Sequence, residues 1–276
     1  MSKVSVIQMN SCAAIGPNLM AVKRLLSQAA SEGAKLAVLP ENFAFFAANP
    51  QEYLVHQECI GEGRIQNFIK ETARAKKMWI LAGSIPLVCP EKTDRVYTAS
   101  VLFDDQGEVV EVYNKLHLFD VTVSEKESYR ESDSFYPGNA VKVVETPVGK
   151  LGLSICYDVR FPELYRKMRE EGAEIFSLPA AFTSTTGVVH WMPLIKARAI
   201  ENLCYVLAAN QSGFHQDNEK MTHGHSVIVD PWGEVLGIQE IGEGVVTTDI
   251  DLQKLERTRQ HFPCFEHRKL KANYKI

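Results

Sequence analysis

The sequence predicts an α/β fold in which two mixed β-sheets pack face to face between layers of helices, an α-β-β-α sandwich. Two observations support this prediction. Apolar, strand-like runs alternate with amphipathic stretches of helical period along the chain. Segments of the first half also recur in the second half, in the same order. Strands that alternate with helices and then end in paired strands are typical of sheets covered by helices.

The internal repeat is visible in three pairs of similar segments at nearly constant offsets. The pairs are EGAKLAVLPENF (32–43) with EGAEIFSLPAAF (171–182), WILAGS (79–84) with YVLAAN (205–210), and SVLFDDQGEVV (100–110) with SVIVDPWGEVL (226–236). This spacing is far longer than the 20–50 residues of solenoid repeats, so it favours one fold with an internal two-fold repeat.

The sequence of each half predicts the same order of strands and helices. The order is a strand (3–10, then 150–156), a helix (17–33, then 161–172), a short strand ending at Leu-Pro, a second helix (62–76, then 188–202), an apolar strand, and two strands joined around Gly107 or Gly233. No Gly- or Ser-rich linker separates the halves. We therefore expect one domain over 1–276, with a core of about 4–250 and a C-terminal tail of about 251–276. The longest loop-like stretch is 115–140, and long loops are often functional.

Composition excludes several classes of function. The 276 residues carry a net charge of −4 with both signs interspersed, which argues against a nucleic-acid-binding surface. No apolar run approaches the roughly 18 residues that a membrane helix requires. The first residues enter a strand pattern and lack the apolar region of a signal peptide. Six scattered cysteines without a C-x-x-C pair fit a reducing compartment, so we expect a cytoplasmic protein.

Three reactive side chains follow predicted strands. Cys156 ends the apolar run that starts at Gly152, Glu41 follows Leu-Pro in the first half, and Lys115 follows the strand 108–114. A thiol has an ordinary pKa of about 8.5, so a desolvated carboxylate can act as its general base. An ammonium stabilises the negative oxygen of a tetrahedral intermediate. Together these groups predict an acyl-transfer site.

Two further requirements of such a site have candidates in the sequence. The backbone N–H of Tyr157, directly after the thiol, is placed to help the ammonium hold the oxyanion. A buried lysine also needs a carboxylate partner. The 115–140 loop supplies Glu125, Glu127 and Glu131 as candidates for that partner.

At these residues the sequence resembles the nitrilase superfamily of carbon–nitrogen hydrolases. LPENF, YNKLHLFD (113–120) and ICYDVRFPEL are similar to its three signatures, and the resemblance covers roughly 4–270. It implies Glu41 as general base, Lys115 as oxyanion stabiliser and Cys156 as nucleophile, with Glu131 in YRESDSFYPG supporting the lysine. It also implies the nitrilase-type sandwich, a homodimer or higher homo-oligomer formed through helices, and no metal or organic cofactor.

Later segments resemble one branch of that superfamily, the Nit proteins, and within it the deaminated glutathione amidases. The similar segments are TSTTGVVHW (183–191), ARAIENLCYVLAANQ (197–211), GHSVIVDPWGEV (224–235) and FPCFEHRK (262–269). The resemblance implies hydrolysis of the amide of glutathione whose amino group has become a keto group, which yields 2-oxoglutarate and Cys-Gly.

An anionic substrate predicts arginines in the pocket, and Arg160 and Arg198 are the candidates. Thr183 matches a loop that faces the nucleophile in relatives. One position departs from the pattern, because Met192 stands where many relatives have an acidic residue after His-Trp.

Other functions stay open on the residues alone. An ω-amidase acting on 2-oxoglutaramate or an N-carbamoyl amidohydrolase would use the same chemistry. A metal-dependent hydrolase would use His223-x-His225 with His190 or His215, although no acidic or cysteine partner lies at zinc-like spacing. A thiol–histidine dyad would need a histidine that meets Cys156 in space. A non-catalytic interaction protein would have no need of the four candidate catalytic residues.

Overall fold

The computed structural model describes residues 1–125, 127–217 and 219–270. The strands are β1 (Ser2–Gln8), β2 (Leu36–Val38), β3 (Trp79–Val88), β4 (Val96–Phe103), β5 (Val109–Asn114), β6 (Asp120–Ser124), β7 (Glu127–Arg130), β8 (Val143–Thr146), β9 (Gly149–Leu153), β10 (Ile175–Ala180), β11 (Tyr205–Asn210), β12 (Ser212–His215), β13 (Lys220–His223), β14 (Ser226–Val229), β15 (Val235–Gln239) and β16 (Gly244–Ile250). The helices are α1 (Ile15–Ser31), α2 (Gln51–Val55), α3 (Arg64–Lys76), α4 (Pro162–Glu170), α5 (Ser184–Asn202) and α6 (Leu252–His261).

Two six-stranded sheets have the same topology, which confirms the internal repeat. The first sheet has the order β16-β1-β2-β3-β4-β5, and the second has the order β8-β9-β10-β11-β14-β15. In each sheet the second, third and fourth strands are parallel and the outer strands are antiparallel. The central registers match as well, because Leu36 pairs with Trp79 and Ile175 with Tyr205.

The sheets pack against each other and each is covered by helices on its outer face. Helices α1 and α3 lie on the first sheet, and α4 and α5 lie on the second. The alternation of side chains in β1 divides them between two clusters. Val4 and Val6 lie in the cluster between the sheets, while Ile7 packs beneath α1 and α3. The layers are therefore helix, sheet, sheet and helix, as predicted for the α-β-β-α sandwich.

Two predicted boundaries differ from the structure by more than two residues. The predicted strand 150–156 ends at Leu153, and Cys156–Arg160 forms a 3₁₀ turn instead. The predicted second helix of that half starts at Ser184 rather than 188, because the hydroxyl of Thr183 caps it by accepting a hydrogen bond from the Thr186 N–H. Neither end could be read from apolar periodicity, because both are set by polar contacts.

The stretch 115–140 contains more regular structure than its composition predicts. Strands β6 and β7 pair as an antiparallel hairpin, and a 3₁₀ turn follows at Glu131–Asp133. Its Ser- and Glu-rich sequence has only a short apolar alternation, at Val121 and Val123, which is too brief to predict a hairpin. The hairpin is instead fixed by backbone pairing and by its position at the edge of a cavity, described below.

The predicted C-terminal tail begins as an ordered helix. The side chain of Asp251 caps α6 by accepting hydrogen bonds from the N–H groups of Gln253 and Lys254, and Leu255 is buried in the cluster between the sheets. The last part of the tail, 271–276, lies outside the described residues. None of the helices in the described part of the chain is both long enough and apolar enough to cross a bilayer.

Candidate active site

Turns from both sheets meet at a cavity of about 370 Å³. Glu41 lies in the turn after β2 and Lys115 directly follows β5, so both come from the first sheet. Cys156, after β9, and Ala181, after β10, come from the second sheet. Because the ends of the parallel strands meet at one edge, the two repeats bring their turns to one place. Glu41, Lys115 and Cys156 all line the cavity, as the sequence predicts.

The ammonium of Lys115 lies between two carboxylates. Its Nζ is 2.9 Å from Glu41 Oε1 and 2.8 and 2.9 Å from the two oxygens of Glu131. The lysine side chain is only 2% exposed. Burial alone would lower the pKa of Lys115, but the charges of Glu131 and Glu41 outweigh it and hold that pKa well above its usual value. The lysine is therefore a fixed positive charge, and of the three glutamates proposed as its partner the structure selects Glu131.

Glu41 is held through both oxygens of its carboxylate and through its backbone. Its Oε2 accepts a hydrogen bond from the Ala181 N–H at 2.9 Å, so the carboxylate bridges the two sheets. Its carbonyl oxygen accepts one from the Gln211 amide at 2.9 Å. The next residue, Asn42, has φ +58° and donates its N–H to Ser84 Oγ at 2.8 Å, where β3 is interrupted by a bulge. These contacts hold one carboxylate oxygen on Lys115.

Cys156 occupies a strained position at the start of its turn. Its φ is +46°, in the left-handed region that branched and bulky residues rarely adopt, and its side chain is 9% exposed. Burial raises the pKa of the Cys156 thiol well above its usual value, and the charge of Glu41 raises it further. Lys115 and the Ala181 N–H act in the opposite direction but do not reverse the shift. The resting thiol is therefore protonated and has a carboxylate neighbour to receive its proton.

A buried carboxylate that the sequence analysis did not single out connects the thiol turn to the lysine turn. Asp158 is fully buried, and its Oδ2 accepts hydrogen bonds from the Ile155 N–H at 2.8 Å and the Tyr113 hydroxyl at 2.7 Å. Its Oδ1 accepts from the His117 N–H at 3.1 Å and lies 2.7 Å from His117 Nδ1. The imidazole of His117 stacks on Phe161 with ring centroids 3.6 Å apart. Asp158 thus sets the distance between Cys156 and Lys115.

Comparison with known proteins shows the family of the chain. The family model described as carbon-nitrogen hydrolase matches residues 3–260. The chain belongs to the carbon–nitrogen hydrolase family. It is 40% identical to the deaminated glutathione amidase of Yersinia enterocolitica over 96% of this chain and 92% of that protein. Among solved structures, the C. elegans NitFhit protein superposes with a TM-score of 0.90 at 36% identity, covering 97% of this chain and 65% of that longer one. Saccharomyces cerevisiae Nit3, described as a member of branch 10 of the nitrilase superfamily, superposes with a TM-score of 0.86 at 29% identity, covering 98% and 97%.

Three of the four predicted substrate-binding residues line the cavity of this hydrolase, and one does not. Tyr157, Arg160 and Thr183 are part of its wall. The Arg160 guanidinium lies 5.2 Å from the ring centre of Phe182. Arg198 is placed elsewhere, because its Nε donates to the Val159 carbonyl at 2.9 Å beneath the thiol turn. Its prediction as a pocket residue is therefore corrected: it is a buried arginine that holds the thiol turn onto α5.

Three residues of the hydrolase that the sequence analysis discussed pack against neighbouring side chains and do not line the cavity: Met192, His223 and His225. Met192 packs against the apolar cluster that contains Trp191, so the departure from relatives at this position falls in the core. His223 and His225 stack with ring centroids 4.2 Å apart, and burial and its neighbour lower the pKa of His223 to about 4. Among the described residues, no group of three or more His, Cys, Asp or Glu side chains is arranged to hold a metal ion.

Replacing Asp158, whose carboxylate connects the Cys156 turn with the Lys115 turn, is expected to lower both the stability and the turnover of the hydrolase. In Asp158→Asn, an N–H₂ group replaces one of the two carboxylate oxygens, and this group cannot accept a hydrogen bond. At least one of the Ile155 and His117 N–H groups therefore loses its acceptor. Each such loss costs about 1–3 kcal/mol, and a displaced thiol turn lowers kcat by roughly 10²-fold. Urea unfolding and steady-state kinetics measure both effects.

The control for this variant is Asp249→Asn, which removes the same charge from an exposed position on β16. It is expected to leave stability and turnover unchanged. An Asp158→Asn variant with normal stability and normal kcat would show that the four contacts do not position the thiol.

Removing the charge of Glu41 is expected to have opposite effects on thiol ionisation and on turnover. Because that charge raises the pKa of Cys156, the pH midpoint of Cys156 alkylation in Glu41→Gln should move to lower pH. Amide turnover should nevertheless fall by roughly 10²–10⁴-fold, as expected for loss of a general base. Iodoacetamide labelling of the Cys156 peptide across pH, followed by mass spectrometry, measures the midpoint.

Glu256→Gln, which changes an exposed carboxylate on α6, should reproduce the wild-type midpoint and turnover. A midpoint in Glu41→Gln that is unchanged or higher than wild type would contradict the electrostatic role assigned to Glu41.

Proposed function

We propose that this hydrolase cleaves the amide bond of deaminated glutathione and releases 2-oxoglutarate and Cys-Gly. The observation that carries the proposal is the meeting of three buried residues, Cys156, Glu41 and Lys115, at one cavity whose wall also carries Arg160. The 40% identity to a deaminated glutathione amidase over 96% of the chain supports this choice of substrate. A cationic wall suits a substrate with a carboxylate at each end.

The first half of the reaction forms a thioester. Glu41 accepts the proton of the Cys156 thiol while the sulfur attacks the amide carbonyl carbon, and the carbonyl oxygen becomes negative. Lys115 and the Tyr157 N–H stabilise this oxygen. Glu41 then donates the proton to the leaving nitrogen, the C–N bond breaks, and Cys-Gly departs.

The second half regenerates the thiol. Glu41 accepts a proton from a water molecule, whose oxygen attacks the thioester carbon, and the same oxyanion contacts are reused. The C–S bond breaks, 2-oxoglutarate is released, and the proton held by Glu41 returns to the sulfur. Glu131 contributes by keeping Lys115 charged and in place, since it accepts two hydrogen bonds from the ammonium.

The wall residues are proposed to orient the substrate. Arg160 follows the thiol turn directly, and its guanidinium has the planar donor geometry that binds carboxylates. Thr183 begins α5 at the cavity, next to the Ala181–Phe182 backbone that faces the thiol. Both residues are therefore assigned to substrate binding.

The test compares wild type with Cys156→Ala on deaminated glutathione, following the release of Cys-Gly. Wild type should release Cys-Gly, and the variant should lose activity while keeping its circular dichroism and unfolding midpoint, because only a small buried sulfur is removed. Turnover by Cys156→Ala would contradict the thioester route. If wild type releases no Cys-Gly but hydrolyses 2-oxoglutaramate or an N-carbamoyl compound, the scaffold is assigned to those amides instead.

We also propose that the hydrolase assembles with a second copy of itself through α5. Val188 and Val189 are 73% and 59% exposed on this helix, and Ile200 is 47% exposed. A two-fold contact between identical faces would bury these side chains in pairs.

Equilibrium sedimentation tests this assembly, with an expected mass of about twice 30.9 kDa. Val188→Glu should shift the protein toward the monomer, because a charge would enter the apolar contact. Met20→Glu on α1, at a side chain that is 75% exposed, should leave the mass unchanged. A monomeric wild type at micromolar concentration would contradict the proposal.

The proposed compartment is the cytoplasm. The six cysteines are free thiols, as is usual in proteins of a reducing compartment.

A further inference from the structure

Beside the residues already assigned to the reaction, two more cations lie in the cavity wall, Arg130 and Lys220, and Lys220 is the less exposed of the two. Lys220 starts β13, is half-buried and lines the cavity. Its Nζ lies 5.1 Å from the ring centre of Tyr129 and 5.6 Å from that of Phe46, so two aromatic faces hold the ammonium. Nothing in the sequence marked this lysine, because it begins a short strand directly after a polar turn.

The backbone that carries Lys220 is anchored on several sides. Strands β12 and β13 form a hairpin in which Lys220 pairs with His215. The ring of His215 bonds to the Ser11 carbonyl through Nδ1 and to the Thr222 hydroxyl through Nε2, both at 2.8 Å. The same ring packs edge-on against Phe46 at 4.6 Å. Lys220 is therefore held at a set place rather than extended into solvent.

The other end of the hairpin is tied to both sheets. The Ser212 N–H donates to the Met9 carbonyl at 2.8 Å, and the His223 N–H donates to the Phe182 carbonyl at 2.9 Å. Met9 follows the first strand of the first sheet, and Phe182 follows β10 of the second. The hairpin thus spans the same seam between the sheets as the thiol and the lysine of the proposed reaction.

Lys220 and Arg160 stand at the two ends of a row of aromatic rings. Arg160 lies 5.8 Å from the ring centre of Tyr157. The Tyr157 ring is 4.9 Å from Phe119, and Phe119 is 5.1 Å from Tyr129, which faces Lys220. Two cations separated by an apolar strip match a substrate that has a carboxylate at each end and an uncharged middle.

Electrostatics agree with this placement. Lys115 forms ion pairs with both Glu41 and Glu131. These groups together give the centre of the cavity two negative charges and one positive charge. Burial lowers the pKa of Lys220, although the charges of Glu131 and Glu41 oppose that shift. An ammonium that has lost much of its hydration gains more from a bound carboxylate than an exposed one does.

We propose that Lys220 binds one carboxylate of the substrate and, with Arg160 at the other end, selects doubly charged amides. This inference rests on the proposed function, since it assigns a residue to the recognition of that substrate. Lys220 is a specificity-determining residue and takes no part in breaking bonds.

The test measures KM and kcat of Lys220→Met, Lys220→Arg and wild type on deaminated glutathione and on two analogues. In one analogue the glycine carboxylate is a carboxamide, and in the other the carboxylate beside the keto group is a carboxamide. Losing a charge-assisted contact should raise KM for the parent compound roughly 10- to 100-fold, with little change in kcat. Lys220→Arg should recover most of that loss.

The analogues identify which carboxylate Lys220 binds. For the analogue that lacks that carboxylate, wild type and Lys220→Met should have similar KM values, while the other analogue should show the full difference. Lys23→Met, which removes one charge from an exposed position on α1, should behave as wild type on every compound. An equal ratio of KM values across all three compounds would overturn the inference, as would a KM for the parent that does not change.

A binding measurement separates this inference from the proposed reaction. In a Cys156→Ala background, isothermal titration with deaminated glutathione, which this variant should not cleave, should show a Kd that Lys220→Met weakens by roughly tenfold or more. If wild type hydrolyses the parent compound but Lys220→Met changes neither KM nor Kd, this inference alone is overturned. Protein that neither hydrolyses the parent compound nor binds it would overturn the proposed function and this inference together.

Discussion

Lys115 places a buried ammonium between two carboxylates, and the rest of the cavity is arranged around that contact. Taking three charges out of water costs several kcal/mol for each ion, so such a cluster persists only when every charge is hydrogen-bonded. Glu131 accepts the Phe119 N–H in addition to the ammonium, and Glu41 accepts the Ala181 N–H. The two sheets must therefore pack in one relative position, because a shift of either sheet would leave an oxygen of a buried carboxylate without a hydrogen bond.

The same cluster carries a net negative charge, which acts together with burial to keep the thiol protonated. With two carboxylates against one ammonium, a thiolate beside them would add a third negative charge, and burial leaves little water to screen it. The thiol therefore keeps its proton until an electrophile arrives, and proton transfer must accompany attack. Such an arrangement protects Cys156 from oxidants and alkylating agents, since the thiolate is the reactive form.

The fold and the meeting of three candidate residues at one cavity could be predicted from the sequence because both leave local signals. The repeat shows directly in paired segments, and Glu41, Lys115 and Cys156 each follow an apolar run that ends abruptly. Asp158 and Lys220 could not be found in that way. Apart from Ile155, the hydrogen-bond partners of the Asp158 carboxylate lie far away in the chain, and so do the two rings that hold Lys220. Arg198 was misplaced for a related reason, since helical position alone does not say which face of α5 meets the thiol turn.

The origin of the cavity from two repeats has a consequence for how the chain acquires activity. Neither repeat holds a complete set of reactive groups, because Glu41 and Lys115 belong to one sheet and Cys156 to the other. Contacts that join them, such as Glu41 with Ala181 and Tyr113 with Asp158, close loops of great length, and closing long loops is slow in folding. The thiol therefore meets Glu41 only once the two sheets have docked, so a partly folded chain carries the cysteine but not the assembled site.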